Sequence, residues 1–171
     1  MMIKITDAHI KDGQLDKAAL AEFGADVVEF EGDKITFKTY VEFSGCNSLT
    51  SIEGTAFNGN VEFVECDSLV SVSGATFNGN VEFDCCNSLT SVDGATFNGK
   101  VEFSYCDSLV SFEDAAFNGN VEFVECDSLV SVSGATFNGN VEFSWCDSLA
   151  SVSGATFKKG FKAISCPNLK Q

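Results

Sequence analysis

The hydrophobic pattern along residues 41–160 repeats every twenty residues. Six copies follow the consensus VEF-x-x-C-x-S-L-x-S-V-x-G-A-T-F-N-G-N, and the copies at 61–80 and 121–140 are identical. A fixed period of this kind is typical of a solenoid, in which each copy buries its apolar face only against its neighbours. The pattern therefore predicts one elongated domain rather than two globules.

Within one copy the spacing of apolar residues changes from two to three. Val61 and Phe63 alternate around Glu62, which predicts a short strand with one buried face. After Phe63 the inward residues recur at every third position. This spacing predicts that the chain returns to the start of the next strand through short turns or 3₁₀ segments. The inward residues are Cys66, Leu69, Val72 and Ala75. The Asn-Gly-Asn sequence at 78–80 supplies a turn before the next copy.

Stacking these copies predicts a repeat solenoid with a parallel β-sheet of about seven rungs and an irregular or 3₁₀ convex side. A pentapeptide-repeat β-helix also has twenty residues per turn, but its inward residues recur every five positions. The set Val61, Cys66, Ser71 and Thr76 fails that test because it includes two polar residues. The sequence therefore favours the first arrangement.

Both ends of the repeat array carry different sequences. Residues 1–40 predict a small N-terminal α/β cap, with a helix at about 13–23, Asp12 as its N-cap and degenerate first-repeat strands after it. Residues 161–171 echo the repeat and predict a partial repeat with a thin, lysine-bearing C-terminal cap. A thin cap leaves end-to-end association open, because uncovered strand edges recruit further strands.

The spacing Val61-x-Phe63-x-x-Cys66-x-x-Leu69 resembles the core of the leucine-rich repeat in its cysteine-bearing form. The sequence CNSLTSI at 46–52 is similar to the bacterial surface-protein (BspA-like) subclass of that family. The resemblance implies 20-residue leucine-rich-repeat-like coils with a parallel sheet on one face, and a function in binding proteins. Members of the family rarely catalyse reactions, and those of the subclass are often found on cell surfaces.

The charge of the chain narrows the range of partners. It has 25 acidic residues against 10 lysines and a formal net charge of −15. An acidic surface repels phosphate, so we expect no nucleic-acid binding and a protein partner with a basic surface, or self-association. No apolar signal segment or membrane-spanning run is present. We therefore expect no membrane insertion and a cytoplasmic chain, or a cell-surface one if a signal was removed.

Seven of the eight cysteines lie on the twenty-residue grid. They predict a structural ladder of buried free thiols, since free Cys behaves as a small hydrophobe. Disulfides and a metal–thiolate site remain as alternatives, although no C-x-x-C pair occurs. The eighth, Cys85, is a candidate for pairing with a second chain. The ladder consists of Cys46, Cys66, Cys86, Cys106, Cys126, Cys146 and Cys166.

Each predicted strand carries one glutamate that points away from the core. Such a row is either a solvated face or a surface that binds cations or lysines. We predict no cofactor; Ca²⁺ stays open, although a flat row offers fewer than the six to eight oxygens that Ca²⁺ usually takes. The glutamate row consists of Glu42, Glu62, Glu82, Glu102, Glu122 and Glu142.

The two residues after each Val-Glu-Phe differ between copies, and they include Tyr105 and Trp145. These aromatics have the character of interface anchors, although drift at a tolerant surface position explains them as well. The candidate partner-binding residues are Glu62, Glu82, Asp84, Glu102, Tyr105, Glu122, Glu125, Glu142 and Trp145.

Nothing in the sequence indicates catalysis. His9 is the single histidine, and no nucleophile–base set or phosphate-binding loop is present. We therefore predict a non-enzymatic protein-binding or scaffold module that uses the exposed strand face. The alternatives are a structural subunit that stacks end to end and, third, an acidic decoy or cation-binding surface.

Overall fold

In the computed structural model, which describes residues 1–170, the chain winds into a β-solenoid with twenty residues per rung. The predicted fold class is confirmed: strands of successive rungs pair in parallel and in register. Within residues 1–170 the strands form two eight-stranded sheets and one two-stranded hairpin. The core lies between the two large sheets, where side chains of both meet.

The strands and helices are short and regularly spaced. In chain order, β-strands of residues 1–170 are β1 (Met2–Ile5), β2 (Ile10–Lys11), β3 (Gln14–Leu15), β4 (Val28–Glu31), β5 (Lys34–Phe37), β6 (Tyr40–Ser44), β7 (Ala56–Phe57), β8 (Val61–Val64), β9 (Thr76–Phe77), β10 (Val81–Asp84), β11 (Thr96–Phe97), β12 (Val101–Ser104), β13 (Ala116–Phe117), β14 (Val121–Val124), β15 (Thr136–Phe137), β16 (Val141–Ser144), β17 (Thr156–Phe157) and β18 (Phe161–Ile164). Helix α1 spans Lys17–Leu20, and 3₁₀ helices span Asp7–His9 and Ala21–Phe23.

The first sheet has the order β1-β6-β8-β10-β12-β14-β16-β18, and the second has the order β4-β5-β7-β9-β11-β13-β15-β17. The seven predicted rungs are the strands from β6 to β18 of the first sheet. Strand β1 adds one more rung: Ile3 and Ile5 pair with Val41 and Phe43 and are buried. In the second sheet β4 and β5 form an antiparallel hairpin, while the pairs from β5 to β17 are parallel.

The return path of each rung is more regular than the sequence predicts. After β8, Glu65 takes a left-handed conformation and the chain turns towards Ser71, which bridges to Ser51 and Ser91 on the neighbouring rungs. A turn at Gly74, with φ of 65°, then leads into β9. The convex side therefore carries a third set of rung-to-rung contacts and the second sheet, whereas the 3₁₀ helices of residues 1–170 lie in the N-terminal cap.

Phenylalanine side chains form two parallel stacks through the core. Phe103, on β12, stacks on Phe83 and Phe123 with ring centroids 5.0 and 5.2 Å apart. Rings of the two stacks meet edge to face, as Phe103 does with Phe117 at 6.4 Å. Both geometries are favourable for aromatic pairs, and each ring is fully buried. The inward residues predicted from the spacing are thus the core residues of the structure.

Close stacking also explains the Asn-Gly sequence near the end of the first five copies. A Cβ atom added at Gly79 would lie 2.5 Å from the carbonyl oxygen of Gly59 on the preceding rung, so only glycine fits. Beside it, the side-chain amide of Asn78 donates to Asn58 at 2.8 Å, and Asn98 donates to Asn78 in turn. Each of these asparagines therefore forms a hydrogen bond with the equivalent asparagine one rung away.

The N-terminal cap differs from its prediction. Asp12 does not cap a helix, because Asp12 and Gly13 form the turn between β2 and β3 with φ of 52° and 80°. Gly13 accepts a hydrogen bond from the amide of Thr50 at 2.9 Å, which ties this hairpin to the first complete rung. Helix α1 starts later, and its N-cap is Asp16, which accepts from the amide of Ala18 at 2.9 Å.

The C-terminal end is less covered than the rest of the core. Strand β18 continues the first sheet by pairing with β16, as the echo of the repeat predicts. Phe161 is 43% exposed, and Phe157 and Leu169 are half-buried. The predicted partial repeat and cap at 161–171 includes Gln171, which lies outside the described residues.

The stacked core makes a quantitative prediction about stability. We expect Phe103→Ala to lower the free energy of unfolding by about 3 to 5 kcal/mol, because the cavity would be enclosed by rungs that cannot collapse into it. Chemical denaturation monitored by circular dichroism measures the change. The half-exposed Phe161→Ala is the matched control and should cost clearly less; equal losses at the two positions would contradict this account.

Candidate functional site

The outer face of the first sheet carries the glutamate row. Its members pair directly across neighbouring strands, as Glu82 does with Glu62 and Glu102. Residues opposite each other on adjacent parallel strands lie about 5 Å apart, so the carboxylates repel one another. In-register stacking therefore forces an unfavourable charge row onto the surface while it builds the core beneath.

Lysines at both ends of this row offset part of the repulsion. Lys4 on β1 lies opposite Glu42, with 2.9 Å between Nζ and Oε1, and Lys162 on β18 pairs with Glu142 at 3.3 Å. Lys100 bridges the middle of the row, at 2.9 Å from Glu122 and 3.5 Å from Glu102. Sequence reasoning missed these pairs, although the register of Lys162 follows from the twenty-residue grid.

The part of the row around Glu62 and Glu82 has no direct ion pair of this kind. Among the described residues, no lysine Nζ lies within 4.0 Å of the Glu62 or Glu82 carboxylate. Desolvation and the neighbouring carboxylates of Glu102 and Glu62 raise the pKa of Glu82 more than the charge of Lys100 lowers it. Together with Lys100 these residues line a shallow groove of about 250 Å³. The electrostatic cost of the row is thus clearest at this point.

A second row lies at the corner where the first sheet ends. The second variable residue after each Val-Glu-Phe has a left-handed backbone in every rung, with φ between 50° and 60°. We call the five consecutive non-glycine members the corner row: Glu65, Cys85, Tyr105, Glu125 and Trp145.

The left-handed conformation is unfavourable for residues with a Cβ atom, at roughly 1 kcal/mol or more each. Gly45, at the same place in the first complete rung, adopts it without that penalty. Apart from Cys85, the corner row presents bulky or charged side chains, and such outliers persist only where the surrounding structure enforces them. This corner is therefore a place where local backbone preference and the side chain present are in conflict.

The two aromatic residues of the corner row are accessible to solvent. Tyr105 is 44% exposed, and its hydroxyl donates to Glu125 at 3.3 Å. Trp145 is 52% exposed and lies with Glu125, Asp127 and Asp147 around a depression of about 290 Å³. Two rungs separate the aromatics, or about 10 Å. The corner thus offers two apolar rings within an acidic surrounding.

The structure groups the candidate residues on two adjacent surfaces. Glu62, Glu82, Glu102, Glu122 and Glu142 lie on the outer sheet face. Tyr105, Glu125 and Trp145 lie at the corner beside it, and Asp84 ends its strand between the two. A third, apolar row was missed because its positions look like ordinary loop residues: Val70, Val110 and Val130 are exposed on the far side of the corner.

The cysteine ladder is buried and contains no disulfide bond within the described residues. Cys46 to Cys146 are fully buried, Cys166 is half-buried, and all the cysteines of residues 1–170 are free thiols. Cys106 donates to the Phe83 carbonyl at 3.7 Å, and burial raises the pKa of its thiol to about 12. Burial and the adjacent Asp84 raise the pKa of Cys85 to about 11, so that its thiol is largely protonated near neutral pH.

The acidic groups are not arranged as a metal centre in the described part of the chain: residues 1–170 contain no group of three or more His, Cys, Asp or Glu suited to hold an ion. None of the helices within these residues is long and apolar enough to span a membrane. Comparisons with known proteins add no further assignment, because no family model, curated protein or solved structure matches the chain.

The raised pKa of Glu82 predicts a pH dependence of stability. A carboxyl whose pKa is higher in the folded state stabilises the fold when protonated, and this contribution is lost as pH rises through the folded-state pKa. We expect Glu82→Gln to raise the melting temperature at about pH 8 and to flatten its dependence between about pH 4 and pH 6. Thermal unfolding across this range measures both effects.

The matched control is Glu142→Gln, at the end of the same row. This change removes an ion pair with Lys162, so it should give no increase in melting temperature at about pH 8. An equal gain from both substitutions would show that the glutamate row acts only through net charge, and that the local environment of Glu82 is unimportant.

The left-handed corner makes a prediction about backbone strain. We expect Trp145→Gly to be more stable than Trp145→Ala by about 1 kcal/mol, because both lose the ring and only glycine relieves the conformation. The control is Ala150→Gly in the same rung, outside the left-handed positions, which should destabilise by about 0.5 to 1 kcal/mol. Urea denaturation gives the three values; a glycine variant no more stable than the alanine variant at position 145 would contradict the strain.

Proposed function

We propose that the chain is a non-enzymatic binding module that docks a protein with a basic surface against the corner row and the adjoining glutamate row. The observation that carries this proposal is the exposed aromatic pair, Tyr105 and Trp145, held in strained backbone within an acidic surface. Strain of this kind is found at binding and switch sites, where function rather than stability selects the residue.

The chemistry of the surface supports a cationic partner. Around Trp145 lie the carboxylates of Glu125, Asp127 and Asp147, so a lysine or arginine that contacts the indole face would also meet opposite charges. The indole and phenol rings supply apolar area at low entropic cost, which is typical of binding hot spots. The acidic glutamate row next to them would steer a basic surface during encounter.

The repeat pattern also separates the positions that build the solenoid from the positions proposed to bind a partner. Repeat positions that stack are nearly invariant between copies, whereas the corner row changes from rung to rung. Side chains that are free of packing constraints and fixed in direction by the solenoid form a rigid linear surface. The resemblance to leucine-rich repeats implies a similar use of the strand face and remains a prediction.

A lysine-rich peptide tests the proposal. We expect it to bind in isothermal titration calorimetry, with affinity that falls as salt increases, whereas an oligoglutamate of equal length should give no heat. Tyr105→Ala with Trp145→Ala should weaken binding at least tenfold, about 1.4 kcal/mol, although the net charge of the chain is unchanged.

The matched control removes charge elsewhere. Glu53→Gln with Glu113→Gln neutralises two exposed carboxylates in the turns of the convex side and should change affinity far less than the aromatic pair does. If the aromatic variant bound as tightly as the parent chain, binding would depend on general acidity and the proposed site would be wrong.

A further inference from the structure

We infer that the two ends of the solenoid are complementary and bind head to tail, so that the C-terminal end of one chain docks on the N-terminal end of a second copy. This contact is separate from the corner row and does not rest on the function proposed for it.

The two sheets are offset by one strand. Strands β1 and β5 lie level, since they pair with β6 and β7 of the same rung, and β4 then extends the second sheet one strand further. At the other end, β18 extends the first sheet one strand beyond the rung that contains β16 and β17. Among residues 1–170, therefore, the second sheet projects at the N-terminal end and the first sheet projects at the C-terminal end.

These projections fit one another in a head-to-tail contact. The β4 strand of the second copy would lie beside β17, and β18 would lie beside β1 of that copy. Both large sheets would then continue across the junction, and the open backbone edges of all four strands would gain partners. The shared rung would contain β18 from one chain and β4 from the next.

Apolar side chains in the projecting strands point into this shared rung. Phe161 pairs with the inward residue Val141 and is 43% exposed; Phe30 pairs with the buried Ile35 and is 37% exposed. Phe161 meets the second sheet through Phe157, with ring centroids 5.1 Å apart, but no strand of that sheet lies level with it, and among the described residues no strand of the first sheet lies level with Phe30. Beside Phe30, a depression of about 380 Å³ is lined mainly by Ala21, Gly24, Ala25 and Val28. The two ends thus expose apolar surface that the contact would bury.

The charges of the ends are opposite. Residues 148–170 contain four lysines and no acidic residue, in a chain of net charge −15. Residues 16–33 contain six acidic residues and one lysine. Lys158 and Lys159 directly follow β17, and Glu31 lies on β4, the strand that would adjoin it, with no lysine Nζ within 4.0 Å among the described residues; Glu29 on the same strand is already paired with Lys38 at 2.8 Å. A tail-to-tail contact would instead bring the lysines of two chains together, so charge favours head-to-tail binding.

Lys158 also stands where the repeat predicts asparagine. From Asn78 onwards each asparagine at this position donates to the one before it, and the last such bond runs from Asn138 to Asn118 at 2.6 Å. With lysine at 158, the side-chain oxygen of Asn138 is buried and has no hydrogen-bond partner within the described residues. The basic residue therefore ends the row of asparagine bonds and leaves a buried acceptor without a donor at this end of the solenoid.

Sedimentation of the full chain tests the inference, with one variant blocked at each end. The tail variant carries Lys159→Glu and Phe161→Glu, and the head variant carries Phe30→Lys and Glu31→Lys. We expect the parent chain to form species of at least twice the 18.2 kDa monomer mass as its concentration rises, and to dissociate in high salt. Each variant alone should remain monomeric with the far-UV circular dichroism spectrum of the parent chain, and an equal mixture should regain association through the intact ends.

Other outcomes would overturn the inference. A parent chain that stays monomeric at the highest soluble concentration would exclude the contact without recourse to any variant. Association that survives in the head variant but not in the tail variant would indicate a tail-to-tail dimer. Association that survives in both would place the interface elsewhere, for example along the corner row, and loss of Tyr105 and Trp145 would then abolish it.

Discussion

The structure depends on stacking each rung on its neighbour in exact register, at about 4.8 Å per strand. Register places every side chain against its own equivalent, so that Phe stacks on Phe and Asn bonds to Asn. The same geometry sets Glu82 between Glu62 and Glu102, where the interaction is repulsive. Favourable contacts in the core and unfavourable contacts on the surface thus have one origin, and lysines at the ends and middle of the glutamate row offset part of the cost.

The corner row shows where the repeat departs from what the backbone prefers. Its left-handed conformation is imposed by the turn out of the first sheet, and it is adopted by Tyr105 and Trp145 as well as by Gly45. Packing does not require these side chains, because they are exposed. The inward residues of each rung therefore fix the solenoid, whereas the exposed corner residues are free of that constraint, and the proposed binding function would use them.

The two proposed interactions use different surfaces. The corner row runs along the side of the solenoid, whereas the offset strands β4 and β18 lie at its ends. Head-to-tail assembly would extend the corner row into a longer array of aromatic and acidic positions, and a basic partner with several contact points would bind such an array with increased avidity. A scaffold of adjustable length is thus compatible with both proposals.

The sequence by itself determined the solenoid, the residues of its core and the buried cysteine ladder, because a short period with fixed apolar positions admits few ways to bury them. It did not determine the rung supplied by β1, because Ile3 and Ile5 are recognisable as core residues only once they are paired with Val41 and Phe43. Nor did it determine the start of α1, because Asp12 and Asp16 are equally suitable N-cap residues by sequence. The left-handed corner and the offset ends were decided by tertiary structure alone. The backbone angles at the corner and the one-strand offset between the two sheets depend on how the rungs close and stack. The repeated sequence does not specify either of them.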